Sequence, residues 1–388
     1  MAYDSQWFKR HLLEGIVPFW EKAVPDAECG GYFVEIAPDG TPNAGADRHL
    51  VASSRHVYNF ARACRLSGEE RHLEIALHGA EFLREKFRDA EHGGFRWVVA
   101  RDGSPVDEGK YVYGHDFVIL ACAELAAAGA TEWMEMAEET FDLLCDKAWD
   151  GPELGYGTSY GLDWTGRAPG RYQNPQMHHV ECCLAAWEVT GDRKWMGRAR
   201  EIARLMCTAM FDEKTGCMGE HFGEGWSPHE KYPEDDILPG HQAEWAWLLL
   251  RLHEAEADGL FERSARELLE FTIEHGYDDE HGGVYAAVGR DGRVTRDRKG
   301  FWENPEALLA LAWAQEHWDD LDLERRFGQT ARFCEEHLWD RERGGWWGGA
   351  SRDGETDRAR KGSGWKADYH VVQMCSELHW RLGRHSGR

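Results

Sequence analysis

Asp89-Ala90-Glu91-His92-Gly93-Gly94-Phe95-Arg96-Trp97-Val98-Val99 reads as an acidic turn, a glycine pair and a short strand-like run, followed by a second turn at Asp102-Gly103. The phrase returns at Gly30-Gly31-Tyr32, Gly155-Tyr156-Gly157, Gly216-Cys217-Met218, Gly282-Gly283-Val284 and Gly344-Gly345-Trp346. Counted on Gly31, Gly94, Gly157, Gly216, Gly283 and Gly345, the intervals are 63, 63, 59, 67 and 62 residues, so the chain is an array of six repeats.

Between successive phrases lie two helical patterns parted by a short polar turn, such as Leu66-Ser67-Gly68-Glu69 or Val189-Thr190-Gly191-Asp192. The first helix of a pair is apolar on most sides, as over residues 117–123 and 245–250, whereas the second carries charges around one apolar stripe, as over 198–210 and 263–273. First helices are therefore inner and second helices outer. The expected fold is all-α: an (α/α)6 barrel of six helix pairs closed into a toroid, with the hairpins at one end. The sixth repeat has only an inner helix, near residues 367–382, so a helix over roughly residues 5–22 is expected to supply the missing outer partner and shut the ring. Residues 1–388 then form a single domain.

Hydrophobic residues at 42%, aromatics at 12% and charged residues at 30% describe a folded globular chain. A net charge of −25 repels phosphate backbones and anionic headgroups, so neither nucleic acid nor a membrane surface is expected as a partner. Asp4, Lys9, Arg10 and Glu14 interrupt the N-terminal apolar residues, which argues against a signal peptide. Ten cysteines occur without a Cys-x-x-Cys pair and most fall in apolar helical patterns, as reduced buried thiols would. The expectation is a cytoplasmic protein, monomeric or homodimeric.

If the repeats are equivalent, residues at a fixed distance after each hairpin sit at one height on the inner helices. Arg55, Tyr113, His178, His241, Glu306 and His370 lie 19 to 25 residues after the six glycines, one polar side chain on each otherwise apolar helix. Burying six such groups without partners would be costly, so they are read as lining a polar mouth. Three share a finer pattern, His followed three residues later by Glu or Gln: His178/Glu181, His241/Glu244 and His370/Gln373. On a helix that spacing shares a face, so each partner is expected to orient its own imidazole. A metal centre is the rival reading, but no His-Glu-x-x-His motif accompanies the trio, and neither metal nor cofactor is expected. Trp302 and Trp365 stand at the starts of inner helices, where an indole face can stack on a sugar ring.

Inverting glycosidases also use such toroids, with two separated carboxylates. Imidazoles, whose unperturbed pKa is near 6.5, are better suited to removing and returning one proton beside a carbonyl. Proton transfer on an open-chain sugar is the favoured chemistry, ahead of glycoside hydrolysis or of a sugar-binding protein that has lost catalysis.

The segments Arg55-His56-Val57-Tyr58, Tyr113-Gly114-His115-Asp116-Phe117, Asn174-Pro175-Gln176-Met177-His178, Pro239-Gly240-His241-Gln242-Ala243-Glu244-Trp245, Trp302-Glu303-Asn304-Pro305-Glu306 and Tyr369-His370 stand in an order that resembles the N-acylglucosamine 2-epimerase superfamily of sugar isomerases and epimerases. The resemblance covers essentially the whole chain. It implies metal-free interconversion of aldoses through a cis-enediol, with His241 and His370 as the proton-transferring pair and His178 assisting. It implies that Arg55, Tyr113, Asn174, Glu244, Trp302, Glu306 and Trp365 hold or polarise a free monosaccharide. The segments ending at His178 and surrounding His241 are more similar to the mannose isomerases of that family than to its disaccharide epimerases. Conversion of D-mannose to D-fructose is thus the expected reaction, with 2-epimerisation as the alternative.

Overall fold

The computed structural model describes residues 3–151, 155–227, 229 and 236–385. Thirteen α-helices are found there. Six are inner: α3 (Leu50–Ser67), α5 (Val112–Ala127), α7 (Gln173–Thr190), α9 (Pro239–Glu256), α11 (Glu303–Ala314) and α13 (Tyr369–His385). The outer layer is α4 (Glu70–Phe82), α6 (Met134–Lys147), α8 (Arg193–Leu205), α10 (Gly259–Phe271) and α12 (Leu323–Phe333), completed by α1 (Ser5–Arg10) and α2 (Val17–Ala23), which a π-helical turn at His11–Ile16 joins. The inner helices pack in chain order and α13 packs on α3, so the fold is a closed (α/α)6 barrel.

The inner helices are buried nearly all round and the outer ones along one stripe, as their sequence patterns require. Local punctuation sets their ends. Gly68 and Gly191 close α3 and α7 in the left-handed conformation, and the carboxylates of Asp4, Asp192 and Asp258 cap the N-termini of α1, α8 and α10. The N-terminal helix takes the sixth outer position: Ser5 Oγ meets His379 Nδ1 at 2.8 Å, Trp346 donates its indole N–H to His11 Nε2 at 2.9 Å, and Trp20 donates to Asp368 at 2.9 Å.

Six hairpins line one rim, bridged at Pro25/Tyr32, Arg88/Phe95, Trp149/Tyr156, Phe211/Met218, Tyr277/Val284 and Trp339/Trp346. The third turn is anchored by Gly155, whose φ is +65°, and the left-handed glycine at Gly216 stands one position earlier than Gly31 and Gly94 do. Counted on the bridges the repeat is therefore more even than the glycine count, at 61 to 66 residues. The segment leading into each inner helix pairs with the next hairpin, through Arg48/Val99, Lys110/Tyr160, Arg171/Phe222, Ile237/Val288 and Lys299/Ala350, and Gly362 returns to Ile36. The rim is thus stitched into a ring independently of the helices.

Two further devices repeat. A side chain in or immediately before the first turns of an inner helix accepts the strand N–H of its own hairpin: His115 from Phe95, Gln176 from Tyr156, Gln242 from Met218, Asn304 from Val284 and Asp368 from Trp346. A Cβ on Gly94 would stand 2.6 Å from His115 Nε2, which is why that turn needs glycine. In addition, the aspartate opening each turn takes a buried cation from the rim. The pairs are Asp26/Arg48, Asp89/Lys110, Asp150/Arg171, Asp278/Lys299 and Asp340/Lys361. The fourth repeat departs: Ile237 occupies the rim position, and Asp212 faces Arg290 at 3.6 Å.

All ten cysteines are free thiols and seven are buried. No described helix is long and apolar enough to cross a membrane.

Candidate functional site

The first turns of the inner helices point toward the hairpin rim, and there the expected side chains meet. Arg55 donates to the Tyr113 hydroxyl at 2.8 Å and to the Trp365 carbonyl at 2.5 Å. Tyr113 packs edge-on to His178, their rings 5.1 Å apart. The Trp302 ring neighbours two imidazoles, 4.7 Å from His241 and 5.9 Å from His370. Trp365 is 51% exposed at the entrance, beside Trp97 and Tyr113. Asn174 stands in the first turn of α7, and its Oδ1 is buried without a hydrogen-bond partner.

Each imidazole of the trio is held through Nδ1 by a carboxylate, but only one holder is the residue one turn on. His178 meets Glu181 at 2.8 Å as expected. His370 instead meets Glu306 of the neighbouring α11 at 2.7 Å, and His241 meets Glu220 at 2.9 Å and Gln173 Nε2 at 2.9 Å. The expectation that Glu244 and Gln373 orient their own histidines is therefore corrected. Helical side chains tilt toward the N-terminus, so the histidines reach up into the mouth while the residues one turn deeper reach sideways. Gln373 bonds Glu181, and Glu244 lies 3.8 Å from His178.

Sequence reading missed Glu220, Gln173 and Tyr369 as members of the site, and it found Glu181 only as the partner of His178. Glu220 holds Gln173 and His241 together, and Gln173 in turn accepts the Trp245 indole N–H at 2.9 Å. Tyr369 donates to Glu181. One signal for Glu220 existed. Two residues past the hairpin bridge the other repeats carry Val34, Trp97, Thr158, Ala286 and Gly348, so Glu220 is the one charged residue at that position.

Glu244 carries the most informative environment. It is fully buried, neither oxygen has a hydrogen-bond partner, and burial together with Glu306 and Glu181 pushes its pKa well above the usual carboxylate range. Burial likewise raises Glu306, which accepts the Trp247 indole N–H at 2.7 Å. Burial, and next the nearby Arg55 guanidinium, drive His370 well below its ordinary value. Burial lowers His178 against the pull of Glu181. Glu181 stays below its ordinary value despite burial, through the hydrogen bonds of His178, Tyr369 and Gln373.

With Nδ1 engaged, Nε2 of His241 and of His370 is the nitrogen each presents to a bound molecule, both beside the Trp302 indole. Glu244, if neutral, adds an O–H donor, and Arg55 adds the cation. Such a set can take a proton from carbon, return one, and bond several hydroxyls. Two triads within it, His178/Glu181/Glu244 and Glu244/Glu306/His370, also have the donor types for a divalent cation, their ligand atoms lying within 4.8 Å of one another.

Residues 31–374 match the family model described as N-acylglucosamine 2-epimerase. A D-mannose isomerase of Marinomonas mediterranea is 28% identical over 97% of this chain and 98% of its own, and a mannose-6-phosphate isomerase of Rhizobium meliloti is 30% identical over 77% and 76%. Among solved structures, the cellobiose 2-epimerase of Spirochaeta thermophila superposes with a TM-score of 0.90 at 27% identity, covering 98% of this chain and 97% of that one.

Proposed function

The chain belongs to the N-acylglucosamine 2-epimerase family and is an isomerase or epimerase, and from that premise we propose that it interconverts free D-mannose and D-fructose. The observation that carries the reading is the pair His241 and His370, each fixed at Nδ1 by a glutamate and both beside the Trp302 ring. The similarity to a D-mannose isomerase over nearly the full length of both chains supports the choice of sugar.

In the proposed reaction the open-chain aldose lies on Trp302 with its C1 carbonyl toward the donors Arg55 and Glu244. One imidazole Nε2 removes the C2 proton as the C1 oxygen gains one, giving a cis-enediol. Loss of the O2 proton then forms the C2 carbonyl, and the carbon proton returns to C1 to yield the ketose. Return to C2 from the second imidazole, on the opposite face of the enediol, would give the 2-epimer instead. The presence of two such imidazoles beside one indole, and the likeness to a cellobiose 2-epimerase, favour that second reading enough to keep it. His178, Tyr113, Asn174, Glu306 and Trp365 are proposed to open the ring or hold hydroxyls.

A free sugar suits this mouth better than a phosphorylated one. Arg55 is its one cation among the described residues and is already bonded, whereas the carboxylates of Glu181 and Glu220 would face a phosphate dianion. Proton transfer between carbons needs no redox group, and we infer a cytoplasmic, cofactor-free, single-domain enzyme, monomeric or homodimeric, whose ten free thiols suit a reducing compartment.

Incubation of the purified chain with D-mannose, D-mannose 6-phosphate and cellobiose, with products separated by chromatography, tests the proposal. Fructose from mannose is the expected main product, unchanged after prolonged EDTA treatment. Epimerised cellobiose without fructose would transfer the function to the second reading. Activity lost with EDTA and restored by a divalent ion would move the chemistry onto the Glu244/Glu306/His370 triad.

A further inference from the structure

At the end of the barrel opposite the mouth, three side chains from successive elements converge: His253 in the last turn of α9, Glu262 in the first turn of α10 and His317 just past α11. His253 is twelve residues along α9 from His241, about 18 Å at 1.5 Å per residue, so this cluster is separate from the site above. One ligand atom from each lies within 4.8 Å of the others: His253 Nε2 is 3.8 Å from Glu262 Oε2, and His317 Nδ1 is 4.0 Å from Glu262 Oε1. All three are partly exposed, so an ion can enter from solvent.

What distinguishes the cluster from a chance gathering is the hydrogen bonding behind it. His253 Nδ1 lies 2.9 Å from the Asp258 carbonyl, which accepts its proton and leaves Nε2 as the bare nitrogen toward Glu262. His317 Nε2 lies 3.2 Å from Glu254 Oε1, which leaves Nδ1 bare on the same side. Glu254 is itself anchored by Arg381 at 2.7 Å. Two imidazoles whose outer nitrogens are tied to a carbonyl and a carboxylate, and whose inner nitrogens converge with a carboxylate, match the outer-shell arrangement that metal-ligating histidines use.

We propose that His253, Glu262 and His317 form a binding site for a divalent transition metal of the zinc class, completed by water, that cross-braces α9, α10 and the end of α11. Two imidazoles and one carboxylate suit a borderline cation better than calcium or magnesium, which prefer all-oxygen sets. Tetrahedral zinc with bonds of about 2.0–2.1 Å wants its ligand atoms about 3.3 Å apart, so the half-exposed Glu262 must swing inward slightly on binding.

Metal-stripped full-length protein titrated with Zn2+ against a chromophoric chelator tests the proposal, with Co2+ absorption reporting the ligand field. The expected result is one zinc per chain, with a rise in melting temperature. His253→Ala and His317→Ala should each weaken zinc at least tenfold and abolish that rise, while still turning over sugar as wild type does. Glu254→Gln should weaken zinc less, and His370→Asn should bind it like wild type. Failure to bind below millimolar zinc, or binding that survives both alanine variants and disappears in His370→Asn, would overturn the proposal.

Discussion

His241 and His370 are each engaged at Nδ1 by an acid on another element, so in the proposed reaction neither would need to reorganise before Nε2 exchanged a proton with carbon. Replacing either by Asn should keep the helical circular-dichroism spectrum and lower fructose formation by about a hundredfold to ten-thousandfold, the range general acid and base groups supply. Glu220 acts through His241. Glu220→Gln keeps the bulk and removes the charge, so kcat should fall about tenfold or more while KM and melting temperature stay near wild type; a fall in melting temperature with kcat unchanged would make Glu220 merely structural. Repeat phase made Arg55, Tyr113, His178, His241, Glu306 and His370 legible in the sequence, because equivalent helices put equivalent positions at one height. Glu220 and Gln173 were not legible that way. They hold His241 from a hairpin and from the neighbouring helix, contacts no spacing along one helix reveals.

At the scale of elements, helix type and order followed from hydrophobic patterning, whereas the rim did not. The hairpins read as glycine phrases, but the aspartates that open them and the cations some twenty residues later read as ordinary charges until packing buries them together. Asp89 is representative. Burial opposes its charge, yet Lys110 and the N–H groups of Glu91 and His92 hold its pKa at about 2. The unfolded value is near 3.9, so its stabilising effect is whole above about pH 4 and drains away as pH falls toward 2. Asp89→Asn strands a buried ammonium and should destabilise the protein by about 3 kcal/mol at neutral pH, with a shallower acid limb in a plot of melting temperature against pH. Asp89→Leu combined with Lys110→Met should recover much of that loss. If the double variant is no better than Asp89→Asn, the cost lies in the turn and not in the stranded charge.

Closure is a property of the whole molecule. The C-terminal inner helix finds its outer partner at the other end of the chain, and Gly362 returns to Ile36 to complete the rim, so removal of residues 1–23 should leave α13 unsupported. Loss of the folded monomer on size exclusion and a non-cooperative thermal transition are expected of that truncation. A truncated chain with full helicity and an unchanged transition would contradict the ring. The repeat count made this closure legible, since five complete pairs and one orphan inner helix require a sixth outer helix from elsewhere. The central claim is that the ring carries a mouth in which two imidazoles move one carbon-bound proton, and proton NMR of D-mannose incubated with the wild type in deuterated water tests it most directly. Fructose should accumulate with deuterium at C1 and none should form with His370→Asn; glucose labelled at C2 appearing ahead of fructose, or products free of carbon-bound deuterium, would contradict the account.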